Sequence, residues 1–272
     1  MKYKLLALDL DDTLLNEKYA ITHRNRAAIQ KAVDRGVMIT IATGRMFRSA
    51  LPYAQSLEID LPLITYHGAL IKKAASGEVL RHRSIPFQLA QDMLEFGEEK
   101  KIHFNLYLDD QLYVREENEN SAYYQSIASI PLQEVGCLPD FLQQQNIEPT
   151  KLTIINKNHD YLNAIQEELR QVFSTELSIL QSRPHFLEIT HRKATKGQAL
   201  KFLAEQEGID REAVVAVGDS YNDVDMLQFA GLGVAVANAP EDVKKSADLV
   251  ARANTEDGVA AFIDEFILGC KK

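Results

Sequence analysis

The stretch Tyr3-Lys4-Leu5-Leu6-Ala7-Leu8-Asp9-Leu10-Asp11-Asp12-Thr13-Leu14-Leu15 is an apolar run that breaks abruptly into acid. Consecutive apolar residues without polar alternation read as a strand buried on both faces. A second β-rich run, Val37-Met38-Ile39-Thr40-Ile41-Ala42, stops at Thr43-Gly44-Arg45. The segment between them reads as a helix, with Thr22 as N-cap, Ile29, Ala32 and Val33 on one face, and Gly36 as a left-handed stop. A third run, Leu63-Ile64-Thr65-Tyr66, follows a helix containing Ala50, Ala54 and Leu57. Strand, helix, strand, helix, strand predicts an α/β fold with a doubly wound, Rossmann-like parallel sheet.

The same grammar returns near the end of the chain. It runs as a helix from Lys196 to about Glu207, a strand from Ala213 to Val217, a helix from Asn222 to Phe229, a strand from Gly233 to Val236, and a last helix toward Ile267. The middle differs, with a hairpin expected over Phe104 to Val114 turning at Asp109-Asp110, and strands at Leu152 to Ile155, Ser178 to Leu180 and Phe186 to Ile189. Helices at Phe87 to Lys101 and Tyr161 to Phe173 make it an α+β insert. The expected domains are therefore a discontinuous core, residues 1–83 and 191–272, interrupted by an insert over residues 84–190.

Composition bounds the function. The 272 residues carry 39 Asp or Glu and 30 Lys or Arg, a net charge of −9, which argues against nucleic-acid binding through a basic surface. The longest apolar run, Phe229 to Ala237, is far short of the roughly 20 residues that span a bilayer, so no membrane partner is expected. The N-terminus reaches acid before a signal-peptide apolar region is complete, and the two cysteines, Cys137 and Cys270, lie far apart; together these predict a cytoplasmic protein with free thiols. Monomer and homodimer both stay open.

Three polar clusters follow predicted strands, where ligands bind in open parallel sheets. They are Asp9-Leu10-Asp11-Asp12-Thr13, Thr43-Gly44-Arg45, and Gly218-Asp219-Ser220-Tyr221-Asn222-Asp223. The first is not an EF-hand loop, because Leu14 stands where that loop needs glycine. A hydroxyl, a glycine and backbone amides at a strand-to-helix turn suit a phosphate oxygen. Gly231-x-Gly233 is no dinucleotide fingerprint, since Val236 fills the third glycine position.

Taken in order, Asp-x-Asp-x-Thr, Thr-Gly-Arg, an isolated Lys196-Gly197 and Gly-Asp-x-x-Asn-Asp resemble the four motifs of the haloacid dehalogenase (HAD) superfamily. The insert between the second and third motifs resembles the C2-type cap of the Cof-like subgroup. The resemblance implies a phosphatase in which Asp9 attacks phosphorus and becomes an aspartyl phosphate, while Asp11 protonates the leaving group and then deprotonates water. In an extended segment Asp9 and Asp11 point to the same side, which fits that division. Asp12 points the other way, where family members often carry Gly, and is read as structural.

Carboxylates crowded beside a phosphate dianion call for a hard divalent cation, and oxygen-only ligands favour Mg2+. Its expected ligands are Asp9, the Asp11 carbonyl and Asp219, with Ser220 and Asp223 near it. Lys196 is expected to pair with Asp9 and a phosphate oxygen; Thr43, the Gly44 and Leu10 amides and Asn222 take the others. Arg45 is read either as a further phosphate ligand or as solvated or cap-facing. His67, in His67-Gly68-Ala69 where the subgroup commonly reads Asn-Gly-Ala, is read as a satisfied neutral histidine, with donation toward the site as the alternative.

The expected partner is a small phosphorylated metabolite, such as a sugar phosphate, pyridoxal phosphate or FMN. The insert is expected to act as a lid, with Asp109 and Asp110 facing the leaving group. A phosphomutase would need extra cap cations, for which Arg115, Lys151 and Arg183 are scattered candidates. A non-catalytic regulatory protein would be expected to have lost Asp9, Asp11, Lys196 or Asp219, and all four are present.

Overall fold

Five residues, Leu5–Asp9, form β1, and each is buried. Helix α1 (His23–Asp34) leads to β2 (Met38–Ala42), α2 (Phe47–Ser56) and β3 (Pro62–Thr65), then to β4 (Leu70–Lys73) and β5 (Val79–His82). The computed structural model describes residues 2–128, 130–173 and 176–269. As the sequence predicts, the Thr22 hydroxyl caps α1 by accepting from the Asn25 amide at 3.1 Å, and Gly36 is left-handed with φ 81°.

The chain continues through α3 (Phe87–Lys100), β6 (Phe104–Leu108), β7 (Gln111–Val114), α4 (Glu119–Ala128), β8 (Leu132–Glu134), α5 (Leu138–Gln145) and β9 (Lys151–Ile155). It then forms α6 (His159–Phe173), β10 (Leu177–Arg183) and β11 (Phe186–His191). The last stretch is α7 (Lys196–Gln206), β12 (Val214–Gly218), α8 (Val224–Phe229), β13 (Leu232–Val236), α9 (Glu241–Lys245), β14 (Leu249–Ala251) and α10 (Gly258–Phe262). The chain divides into two compact units, residues 1–81 with 195–272, and residues 82–194.

In the first unit the sheet order is β14-β13-β12-β1-β2-β3-β4-β5. The six strands from β14 to β3 are parallel, but β4 runs antiparallel to β3, so the expected all-parallel sheet is a mixed one with a β4–β5 edge. The last helix also departs from expectation: α9 and β14 interrupt it before α10. One face of this sheet, with Leu5, Ala7, Ala42 and Ile64, packs on Leu200 and Leu203 of α7 and Met226 and Leu227 of α8. The chain winds outward on both sides of the β1–β12 pair, which makes that boundary the topological switch point.

The register decides where the functional loops emerge. Asp9 lies beside Ala42 and Ala42 beside Ile64, while Leu8 lies beside Val217. Residues 9–13, 43–45, 65–67 and 219–223 therefore leave the same end of the sheet side by side.

In the second unit a six-stranded sheet runs β10-β11-β9-β6-β7-β8. The expected hairpin forms, with Asp109 (φ 48°) and Asp110 (φ 55°) both left-handed as a two-residue turn matched to strand twist requires. Strand alternation separates the faces: Phe104, Leu106, Leu152, Ile154, Leu187 and Ile189 join Met93, Leu94, Leu162 and Leu169 in the core. On the opposite face Lys151 and Glu188, both buried, form an ion pair at 2.7 Å. Arg115 pairs with Glu98. Cys137 is a free thiol, and Cys270 lies outside the described residues. Among the described residues, no helix is long and apolar enough to cross a membrane.

Candidate active site

Asp9 is the last residue of β1 and is 4% exposed. After it the chain does not continue as a strand but makes one wide helical turn over Leu10–Leu14, in which Asp11 keeps extended angles and Asp12 has φ 58°. Left-handed backbone favours glycine and tolerates Asp, which is why Asp12 can stand at this position. Asn238 donates to the Asp12 carbonyl at 2.7 Å and ties the turn down.

Lys196 opens α7 with Thr195 as N-cap. Its ammonium, 1% exposed, reaches Asp9 Oδ1 at 2.6 Å and Asp223 Oδ1 at 2.6 Å. Burial alone would push the lysine pKa down, but Asp223 and Asp9 hold it above its ordinary value. The ion pair with Asp223 goes beyond the sequence expectation. Asp225 fixes the start of the same helix by accepting from the Gly197 amide at 2.9 Å.

Asp223 is fully buried, and its Oδ2 accepts from the amides of Asp219 (3.1 Å) and Ser220 (2.9 Å). That carboxylate shapes the loop as well as neutralising the lysine. Asp219 Oδ1 accepts from the Thr13 hydroxyl at 2.7 Å. Thr13 was visible in the first motif but gave no sign of its partner, which lies 206 residues away.

Oxygens of Asp9, Asp219 and Asp223 all lie within 4.8 Å of one another. Burial and then the charge of Asp223 raise the pKa of Asp9 well above the usual carboxylate value. The same two causes push Asp219 up to about 6. Two buried carboxylates and the half-buried Asp219 against one ammonium form an anionic pocket with oxygen-only donors, which fits a hard divalent cation. Because both Asp223 oxygens are engaged by Lys196 and by backbone amides, Asp9 and Asp219 are the better-placed donors. Ser220 is turned into the loop, its hydroxyl donating to Asn222 Oδ1 at 2.5 Å.

Asp11 stands apart from this cluster. Arg45 Nε meets its Oδ2 at 2.8 Å and Nη2 its Oδ1 at 2.6 Å, while the Arg45 guanidinium lies over the Tyr53 ring at 5.1 Å. In this structure the Arg45 guanidinium, partly exposed, is occupied by a bidentate fork on the Asp11 carboxylate. The sequence offered no signal for that pairing.

Thr43, 1% exposed, sits just beyond β2, and its hydroxyl accepts from the Arg45 amide at 3.2 Å. Gly44 follows with its Cα against the His67 ring, and His67, also buried, meets Asn222 Nδ2 through Nδ1 at 3.0 Å. Satisfied burial, the reading favoured from sequence, describes His67, though its partner Asn222 was not foreseen. Leu10 begins the wide turn. The structure thus brings Asp9, Leu10, Thr43, Gly44, Lys196, Asp219, Ser220, Asn222 and Asp223 to one end of one sheet. Asp109 and Asp110 belong to the second unit, at the β6–β7 turn.

A parallel sheet whose switch point carries a buried Asp–Lys–Asp cluster beside a cation-suited carboxylate defines the hydrolase class built on an aspartate after the first strand. The model of the haloacid dehalogenase-like hydrolase family matches residues 6–263, and the chain belongs to that family. It is 32% identical over 289 residues to the 5-amino-6-(5-phospho-D-ribitylamino)uracil phosphatase YwtE of Bacillus subtilis, covering 98% of this chain and 99% of that one. The structure of TM0651 from Thermotoga maritima superposes with a TM-score of 0.88 at 31% identity, covering 97% of each chain. The HAD subclass IIB sugar phosphatase BT4131 superposes with a TM-score of 0.81 at 27% identity, over 97% of this chain and 99% of that one.

Proposed function

We propose that the protein is a Mg2+-dependent phosphatase of small phosphorylated metabolites, acting through an aspartyl phosphate on Asp9. The observation that carries this reading is the buried Asp9 carboxylate held by Lys196 at the sheet's switch point. The relatives support the substrate class: YwtE is named for a phosphorylated ribitylaminouracil and BT4131 for sugar phosphates. Sugar phosphates and cofactor phosphates such as pyridoxal phosphate or FMN are the proposed range. A free Cys137 fits the reducing cytosol.

In the proposed reaction an Asp9 oxygen attacks phosphorus, and the bond to the leaving oxygen breaks as Asp11 gives that oxygen its proton. Asp11, now ionised, takes a proton from water as the water oxygen attacks the aspartyl phosphate. Inorganic phosphate leaves and Asp9 is regenerated. Lys196 orients Asp9 and offers its charge to a phosphate oxygen; Thr43, the Gly44 and Leu10 amides and Asn222 are the remaining phosphate donors. Mg2+ held by Asp9, the Asp11 carbonyl and Asp219, with Ser220 and Asp223 near it, would supply the positive charge that lets an anionic substrate approach this pocket. The 84–190 insert is proposed as the cap that selects substrate, with Asp109 and Asp110 among its selecting residues.

A phosphomutase reading has less support, because Arg115 and Lys151 are already paired with Glu98 and Glu188. The test is hydrolysis of p-nitrophenyl phosphate and a panel of metabolite phosphates with Mg2+, repeated with chelator and with Asp9→Asn. Turnover that is lost on chelation and in Asp9→Asn supports the reading; activity surviving Asp9→Asn rejects it.

A further inference from the structure

Tyr66, His67 and Gly68 form a tight turn after β3 in which all three residues have positive φ, at 51°, 57° and 100°. Two non-glycine residues in that region are strained, and such outliers persist where surrounding contacts enforce them. The contacts here reach each proposed phosphate-binding group outside the first loop. The Tyr66 amide donates to the Arg45 carbonyl at 2.9 Å and the His67 amide to the Thr43 carbonyl at 3.1 Å, pinning the Thr43–Arg45 loop. Gly68 packs so closely on the Thr195 carbonyl, at the start of the Lys196 helix, that a Cβ there would collide with it. A Cβ on Gly44 would come within 2.6 Å of His67 Nε2, so ring and loop are fitted to each other.

The His67 ring then reaches Asn222. The Ser220 hydroxyl lies 2.5 Å from Asn222 Oδ1 and 3.2 Å from Asp223 Oδ2, and the Asn222 amide nitrogen faces His67 Nδ1 at 3.0 Å. An amide nitrogen has two hydrogens and no acceptor capacity, so Nδ1 is the acceptor in this pair. One Asn222 N–H is thereby committed to His67, and the other is left in a fixed direction.

We propose that His67 is a positioning residue of the phosphate subsite: its Nδ1 orients the Asn222 amide, and its ring sets the Gly44 loop, so that both present donors to one phosphate group. This rests on the phosphatase reading, and it assigns to His67 a part in binding phosphate that requires no contact with the substrate.

The test is the affinity of the intact protein, with Mg2+, for inorganic phosphate, measured by calorimetry on wild type, His67→Phe, Asn222→Ala, the double variant and His67→Asn. Phenylalanine keeps a ring on Gly44 but has no acceptor. Losing one hydrogen bond predicts an affinity about five- to tenfold weaker in His67→Phe. The same change in the Asn222→Ala background should cost less than about twofold, the non-additivity of a shared interaction. His67→Asn, whose amide oxygen can accept the Asn222 N–H, should stay within about threefold of wild type. If His67→Phe fails to fold by circular dichroism, His67→Ala carries the same expectations. Wild-type affinity in His67→Phe, additive losses in the double variant, or equal losses in His67→Phe and His67→Asn would each overturn the assignment while leaving the phosphatase reading intact. A wild-type protein that neither binds phosphate nor hydrolyses any ester would overturn both.

Discussion

Arg45 holds Asp11 by both carboxylate oxygens, so the proposed acid and base of the reaction is paired with a guanidinium that in turn lies over the Tyr53 ring. Stacking and bidentate geometry are properties lysine cannot reproduce. Asp11 must both give and take a proton, and the guanidinium fork favours its ionised form, the one that takes a proton from water.

Asp11→Asn is expected to lower turnover of alkyl phosphates by about 10²- to 10⁴-fold, the range for a positioned acid–base group. p-Nitrophenyl phosphate, whose leaving group needs no proton, should still release a burst of nitrophenolate equal to the enzyme present. Rapid-quench kinetics would show it, and absence of the burst would count against the assigned role. Arg45→Lys should lower alkyl phosphate turnover by about tenfold through lost orientation alone.

Lys196→Met leaves Asp9 and Asp223 buried without their cation. Breaking such a cluster on one side costs about 3 to 5 kcal/mol, read from urea unfolding of the metal-free protein at pH 7. The deficit should shrink at pH 5, because the Asp9 carboxylate, whose pKa is already raised, takes up a proton once the ammonium is gone. An equal deficit at both pH values would show that lost packing, not charge, is responsible.

Asp219 gives a pH dependence of definite sign. Its pKa is about 6 in the fold against 3.8 without it, so between these values the folded protein holds a proton that the unfolded chain has released. Metal-free stability from this group therefore falls as pH rises from 4 to 7, by roughly 2 to 3 kcal/mol. Asp219→Asn should remove that slope in thermal or urea unfolding. Mg2+ should raise the melting temperature of wild type more at pH 7 than at pH 5, and Thr13→Val, which removes the hydroxyl on Asp219, should weaken the Mg2+ response several-fold.

Asp109→Asn and Asp110→Asn keep a residue type that tolerates left-handed backbone while removing charge from the β6–β7 turn. Each should change the ranking of metabolite phosphates by at least about threefold in kcat/KM while leaving p-nitrophenyl phosphate nearly unaffected. Uniform losses on every ester would exclude a selective role.

The parts of this protein legible in its sequence are those governed by local rules. Leu5–Asp9 and Val214–Gly218 are buried on both faces and read as unbroken apolar runs; Thr22 and Gly36 mark helix ends by their own chemistry. Leu249–Ala251 escaped because three residues carry no period, and it exists as a strand only by pairing with β13. The β4 edge was unreadable for the same reason: its direction is set by the turn at Tyr66–Gly68, whose backbone defies the preference of Tyr and His. Within the site, residue types and order were legible, but pairings were not. Arg45 and Asp11 are 34 residues apart, and His67 and Asn222 are 155 apart; no spacing rule connects such partners.

The buried ammonium that steadies Asp9 comes 187 residues later in the chain, and β12, the strand that flanks β1 on one side, comes later still. During synthesis, β1 therefore keeps one bare edge and an uncompensated carboxylate until the whole insert has been made. An interrupted chain presents a hydrophobic strand edge of the kind that pairs with strangers. The insert can gather its own core while the first strands wait, so the site can be assembled only after the chain has been made through β12.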